Sequence, residues 1–162
     1  MYSNANLLVL APVIIPIIGA LLLIVFKNKG EKISSGILIL FAVLTFLGVA
    51  LLYPYIAGKD SILLSFPSLL LVGISFKVDI FSYLLGVVVS LIWVLISLYS
   101  LDYMKKDHAR LRFYVILLLN LGGAIGFFFA GDIVTMFLFF EVLTILSYIL
   151  VVHEENESAL RS

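Results

Sequence analysis

The chain has 162 residues, 64% of them hydrophobic and 12% charged, with a formal net charge of zero. Soluble domains draw on roughly 25% charged residues, so a mean hydropathy of +1.25 excludes a water-facing globule and leaves an all-α integral membrane protein as the fold class. Zero cysteines exclude disulfides, thiolate metal sites and iron–sulfur ligation within the chain, two distant histidines argue against a metal centre, and the neutral balance gives no sign of nucleic-acid binding.

The opening MYSNAN lacks a basic n-region, and the apolar stretch behind it is too long for a signal h-region, so the N-terminus reads as the start of a span and not as a cleaved leader. Five segments are long and apolar enough to cross, approximately Leu7–Phe26, Ile33–Ile56, Ile80–Leu101, Phe113–Ala130 and Ile133–Val152. The first carries Pro12 and Pro16 in its opening turns, which bilayer helices tolerate where neighbours satisfy the freed carbonyl. Between the second and third, Ala57–Asp79 contains an apolar run, Ile62–Ile74, that is broken by Pro67 and too short to span. It predicts an extramembrane β-hairpin or interfacial segment. Only Gly131 and Asp132 separate the fourth and fifth spans, with Asp132 placed to cap the fifth.

After Val152 the sequence HEENESALRS begins as a helix, with Glu154, Glu155 and Glu157 suited to a first turn. Residues 153–162 are therefore expected to be the cytoplasmic start of a further, interrupted helix, within one membrane domain covering 1–162. Lys27, Lys29, Lys32, Lys105, Lys106, Arg110, Arg112 and Arg161 fall on one side of this topology, against Lys59 and Lys77 on the other. The positive-inside rule then puts the N-terminus outside and the C-terminus in the cytoplasm of a multi-pass cell-membrane protein.

Polar residues within the spans are the candidate functional positions. Glu141 lies nine residues past Asp132, about 13 Å along a helix and near the middle of a hydrocarbon core about 30 Å thick. A charge there costs at least about 2.5 kcal/mol, which makes an intramembrane acid a functional-site candidate by default. Thr144 and Tyr148 share its helical face and are placed to donate to it, whereas Ser147 is offset. Lys77 and Asp79 stand at the mouth of the third span, as an ion entrance or as interfacial caps, and His153 at the end of the fifth is a further entrance candidate or a partner for the helix dipole. His108 falls in a basic loop and reads as solvated. Asn120, beside Gly122, Gly123 and Gly126, reads as interhelical glue at a close helix contact. Ser90 and Ser97 read as bonded back to the preceding turn, Trp93 as packed against a neighbouring subunit or lipid, and Tyr53, Tyr55, Tyr99 and Tyr103 as an interfacial belt.

Taken in order, GISFKVDIFSYLLGVVVSLIWVLISLYSLDYM and RFYVILLLNLGGAIGFFFAGDIVTMFLFFEVLTILSYILV are similar to the third, fourth and fifth helices of a known family. The chain resembles the antiporter-like membrane subunits shared by respiratory complex I, Mrp-type cation/proton antiporters, and membrane-bound hydrogenase and sulfane reductase complexes. Members of that family have about fourteen helices with two inverted five-helix repeats, each holding a broken helix. The resemblance reaches only the first five helices and puts the family's fifth-helix glutamate on Glu141. Its lysine partner has no counterpart, since no lysine follows Lys106. The broken helices and the central lysine–histidine relay are missing as well.

The resemblance implies a subunit, or N-terminal fragment, of a redox-driven proton- or sodium-translocating complex. Other membrane subunits, antiporter-like chains among them, would be its partners, and no cofactor would sit in this chain. Glu141 would pair with a lysine from a neighbouring chain. In low dielectric such a pair is bistable, because separating it frees each member to exchange a proton. The alternative, from a different class, is a structural spacer or docking subunit with no ion path of its own.

Overall fold

A computed structural model describes residues 8–57, 61–66, 73–104 and 110–160, with side chains described as far as 150. Five helices form the body: α1 (Ala11–Val25), α2 (Glu31–Ala50), α3 (Ile80–Tyr103), α4 (Arg110–Phe128) and α5 (Ile133–Leu160). A single helical turn, Tyr53–Ile56, prolongs α2. Four stretches are long and apolar enough to cross a membrane, namely Glu31–Ile56, Ile80–Tyr103, Arg110–Phe128 and Ile133–Leu150. α1 is apolar but has only 15 described residues, about 22 Å of helix. Pro12 starts it, where no intrahelical N–H is needed, and Pro16 lies buried against its neighbours.

The bundle is built around α4. It packs against α1 and α5, with α3 and α2 completing its surroundings. Of its spanning window 61% is buried, against 6% for the span of α5. That difference decides which helix is scaffold and which is an open face. Two apolar clusters fill the interior. One joins Val13, Ala42, Val49, Leu121, Ile125 and Phe129 to the hairpin residues described below. The other holds Ala20, Leu23, Leu38, Met104, Tyr114, Leu117 and Leu118. Trp93 packs on both clusters, and its indole N–H donates to the Leu117 carbonyl at 3.2 Å. An indole donor within the bilayer needs an acceptor, and this chain supplies one, while the half-buried ring keeps part of its surface outward.

The segment between α2 and α3 is a two-stranded antiparallel hairpin, β1 (Ile62–Phe66) with β2 (Ile74–Val78), in the register Ile62↔Val78 and Phe66↔Ile74. Alternation buries Ile62, Leu64, Phe76 and Val78 in the first cluster and leaves Leu63 60% exposed. The hairpin therefore closes one end of the bundle. Pro67, Lys59 and His108 lie outside the described residues.

Three boundaries differ from the sequence expectation. α4 begins at Arg110, whose guanidinium pairs with Glu31 at the start of α2, and it ends at Phe128. The connection to α5 is thus Phe129–Asp132 and not two residues, because this stretch pairs with β2 (below). α5 continues unbroken to Leu160, so the Glu-rich segment after Val152 prolongs the same helix and does not open a new one.

Candidate functional site

α5 carries the acid that sequence singles out. Its inner side meets α4 through Phe139 and Leu143. A Cβ on Gly126 would collide with the Phe139 ring, and one on Gly123 would stand 3.3 Å from Leu143. Gly122 faces the other way, where a Cβ would approach Pro16 of α1 and the Val13 carbonyl at 3.2 Å each. The three glycines thus let α4 approach two helices at once. Asn120 belongs to the same seam: its Nδ2 donates to Ser147 of α5 at 3.3 Å.

With its inner side so engaged, α5 turns Glu141, Thr144, Ser147 and Tyr148 outward, together with Phe137, Phe140, Val142 and Ile145. No cation of the described residues pairs with Glu141. Thr144 does not donate to it, but to the Phe140 carbonyl at 2.9 Å, the usual intrahelical solution for a threonine in a span. Tyr148, 68% exposed, points out beside it. The side chain of His153 lies outside the described residues.

Lys77 and Asp79 meet at the start of α3, where their charged groups are 3.9 Å apart and both part-exposed. Asp79 is primarily a cap. It accepts from Ser82 N at 2.9 Å while Ser82 Oγ accepts from Asp79 N at 2.9 Å, a reciprocal capping box. Those bonds, the Ser82 amide first, hold its carboxyl below the usual carboxylate range.

A second polar cluster forms where the hairpin meets the α4–α5 connection. Asp132 caps α5 by accepting from Thr135 N at 2.8 Å and from the Thr135 hydroxyl at 2.9 Å, and it also accepts from the Ser75 hydroxyl of β2. Thr135 Oγ1 in turn accepts from Ser75 N at 2.9 Å. Backbone bonds flank it, Gly131 N to Ser75 O at 2.8 Å and Lys77 N to Phe129 O at 2.9 Å. The Ser75 hydroxyl, more than any other partner, holds the Asp132 carboxyl below its ordinary value. Sequence reasoning found Asp132 as a cap and missed Ser75 and Thr135, because their partnership spans 60 residues. Nor did it find Ser147 as the partner of Asn120. Of the α3 serines, Ser90 donates to Gly86 O at 2.7 Å, whereas the buried Ser97 hydroxyl meets no partner among the described residues.

Comparison with known proteins fits this architecture. The family model described as NADH-ubiquinone oxidoreductase (complex I), chain 5 N-terminus, matches residues 66–114. An Na(+)/H(+) antiporter subunit of Alkalihalophilus pseudofirmus is 29% identical over 155 residues, covering 91% of this chain and 30% of that protein. Its namesake from Bacillus subtilis is 36% identical over 80 residues, 49% of this chain and 16% of its own length. The fold is shared with a chain of the membrane-bound sulfane sulfur reductase, an archaeal respiratory membrane complex, with a TM-score of 0.75 at 22% identity over 88% of this chain and 22% of that one. The curated relatives are subunits, and this chain spans between 14% and 32% of their length. In sequence and in fold the chain is thus similar to antiporter-like membrane subunits.

Proposed function

We propose that the chain supplies the N-terminal helices of a subunit that moves protons or sodium ions within a multisubunit membrane complex, with Glu141 as an ion-handling acid. The observation that carries this reading is the position of Glu141 on the outward side of the helix least covered by this chain. A carboxylate left against acyl tails costs at least about 2.5 kcal/mol, so a helix side bearing Glu141, Thr144 and Tyr148 is one for protein and ions to cover. No cation among the described residues balances Glu141; in this reading one comes from the rest of a longer polypeptide or from an adjacent antiporter-like chain. Redox cofactors belong to other subunits in this reading. The basic ends of α2 and α4 face the cytoplasm, which puts the N-terminus outside.

Replacing Glu141 by Gln in the assembled complex tests the proposal. Cation movement across complex-containing vesicles should fall while subunit composition stays intact. Transport that is unchanged in Glu141→Gln and in Glu141→Leu overturns the ion-handling role and leaves a spacer or docking subunit in its place.

A further inference from the structure

Asn120 is 8% exposed, yet only one end of its amide is used. Nδ2 donates to Ser147, while Oδ1 is buried and meets no donor among the described residues. Turning the amide over does not remove the difficulty: the oxygen would then accept from the Ser147 hydroxyl and the NH2 group would be the orphan. A buried amide group without its hydrogen bond loses what lipid tails cannot replace. One turn along the seam are Gly123 and Leu143, which are apolar. The open direction is past Ser147, which is exposed.

Around α5, at about 3.6 residues per turn, Glu141, Tyr148, Thr144 and Ser147 follow one another within about a third of the circumference. All four are exposed, and Ser147 is the one beside α4. Val142, 45% exposed, falls on the other side.

We infer that Asn120 and Ser147 hold a water molecule at the α4–α5 seam, at the edge of the polar side of α5 that ends at Glu141. Ser147 Oγ accepts from Asn120 Nδ2 and still has its own proton to give. The water takes that proton's hydrogen bond and donates one of its hydrogens to Asn120 Oδ1. A buried water commonly makes about two to four such bonds, and two are supplied here. Its second hydrogen is directed to the outer side, toward the arc of Thr144, Tyr148 and Glu141. Asn120 is in this account a positioning residue that keeps the seam wet. The inference rests on the outer side of α5 being covered by protein and not by lipid, as the proposed function requires.

Among its 162 residues the chain has no cysteine, so Ser147→Cys introduces a single thiol into it. In the assembled complex this variant is treated with a charged, water-borne methanethiosulfonate reagent, and modification is followed by the intact mass of this chain. Because thiol reaction needs solvent access, Ser147→Cys should react at least about tenfold faster than Val142→Cys. Adding Asn120→Leu, or Asn120→Val where Leu does not assemble, should slow the Ser147→Cys reaction by a similar factor. A rate at 147 no faster than at 142 overturns the water site. A fast reaction at 147 that Asn120 replacement leaves unchanged overturns the role of Asn120. The transport effect of Glu141→Gln is read separately, so either idea can fail while the other stands.

Discussion

Asp132→Ala removes three bonds at once, and the structure says where the loss falls. The helix cap on Thr135 N is worth about 1 kcal/mol. The link to the Ser75 hydroxyl is charge-assisted but solvent-exposed, so it is discounted to about 1 kcal/mol. The combined cost of about 2 kcal/mol is borne locally, by the docking of β2 on the α4–α5 connection. The amides of Ser75, Lys77 and Gly131 are the reporters, since each crosses this junction. In hydrogen-exchange measurements on the detergent-solubilised complex they should exchange about 30-fold faster, at about 1.4 kcal/mol per factor of ten. Amides within α4 should be unaffected, because that helix is fixed by burial against its neighbours. If exchange at the three reporters changes by less than about threefold, the carboxylate is not what docks the hairpin, and the apolar contacts of Phe76 and Val78 are sufficient. Acid gives the same answer by another route. The Asp132 and Asp79 carboxyls are held below the usual range, so each binds its proton less readily folded than unfolded. Their stabilisation is complete above the ordinary aspartate value of about 3.9 and is lost as pH falls through the lower folded values. The reporter amides should therefore lose protection in that acid window and not near neutrality.

Two further outcomes follow from the packing. Gly126→Leu forces α4 and α5 apart at Phe139, an overpacking cost of about 1–3 kcal/mol, and should appear as reduced recovery of assembled complex on gel filtration, whereas Gly36→Leu, at an open position, should not. Trp93→Phe keeps the ring contact but loses the indole bond to the Leu117 carbonyl, so thermal stability in detergent should fall by about 1 kcal/mol, and a variant as stable as the parent would mean the indole bond contributes nothing.

Most of the span pattern was legible from apolar runs, because a bilayer admits helices of set length and little else. The capping role of Asp79 and of Asp132 was also visible, since a cap acts on residues three positions away. Glu141 could be picked out for a related reason: a lone acid in an apolar run needs no knowledge of neighbours to be anomalous.

Other features depend on which helix lies beside which. Composition alone does not tell that α4 is the buried scaffold and α5 the open one, for both contain a span of high mean hydropathy. The end of α4 at Phe128 was set by β2, whose amides compete for the carbonyl that a longer helix would have kept. Thr144 turned to its own backbone and Ser147 to Asn120, a choice made by the rotation of α5 against α4. Local sequence thus determined which stretches can cross a membrane and where the lone acid Glu141 stands among them. Tertiary packing decided which side of that acid's helix stays open, because rotation is fixed by glycine contacts far apart along the chain and not by the period of the helix itself.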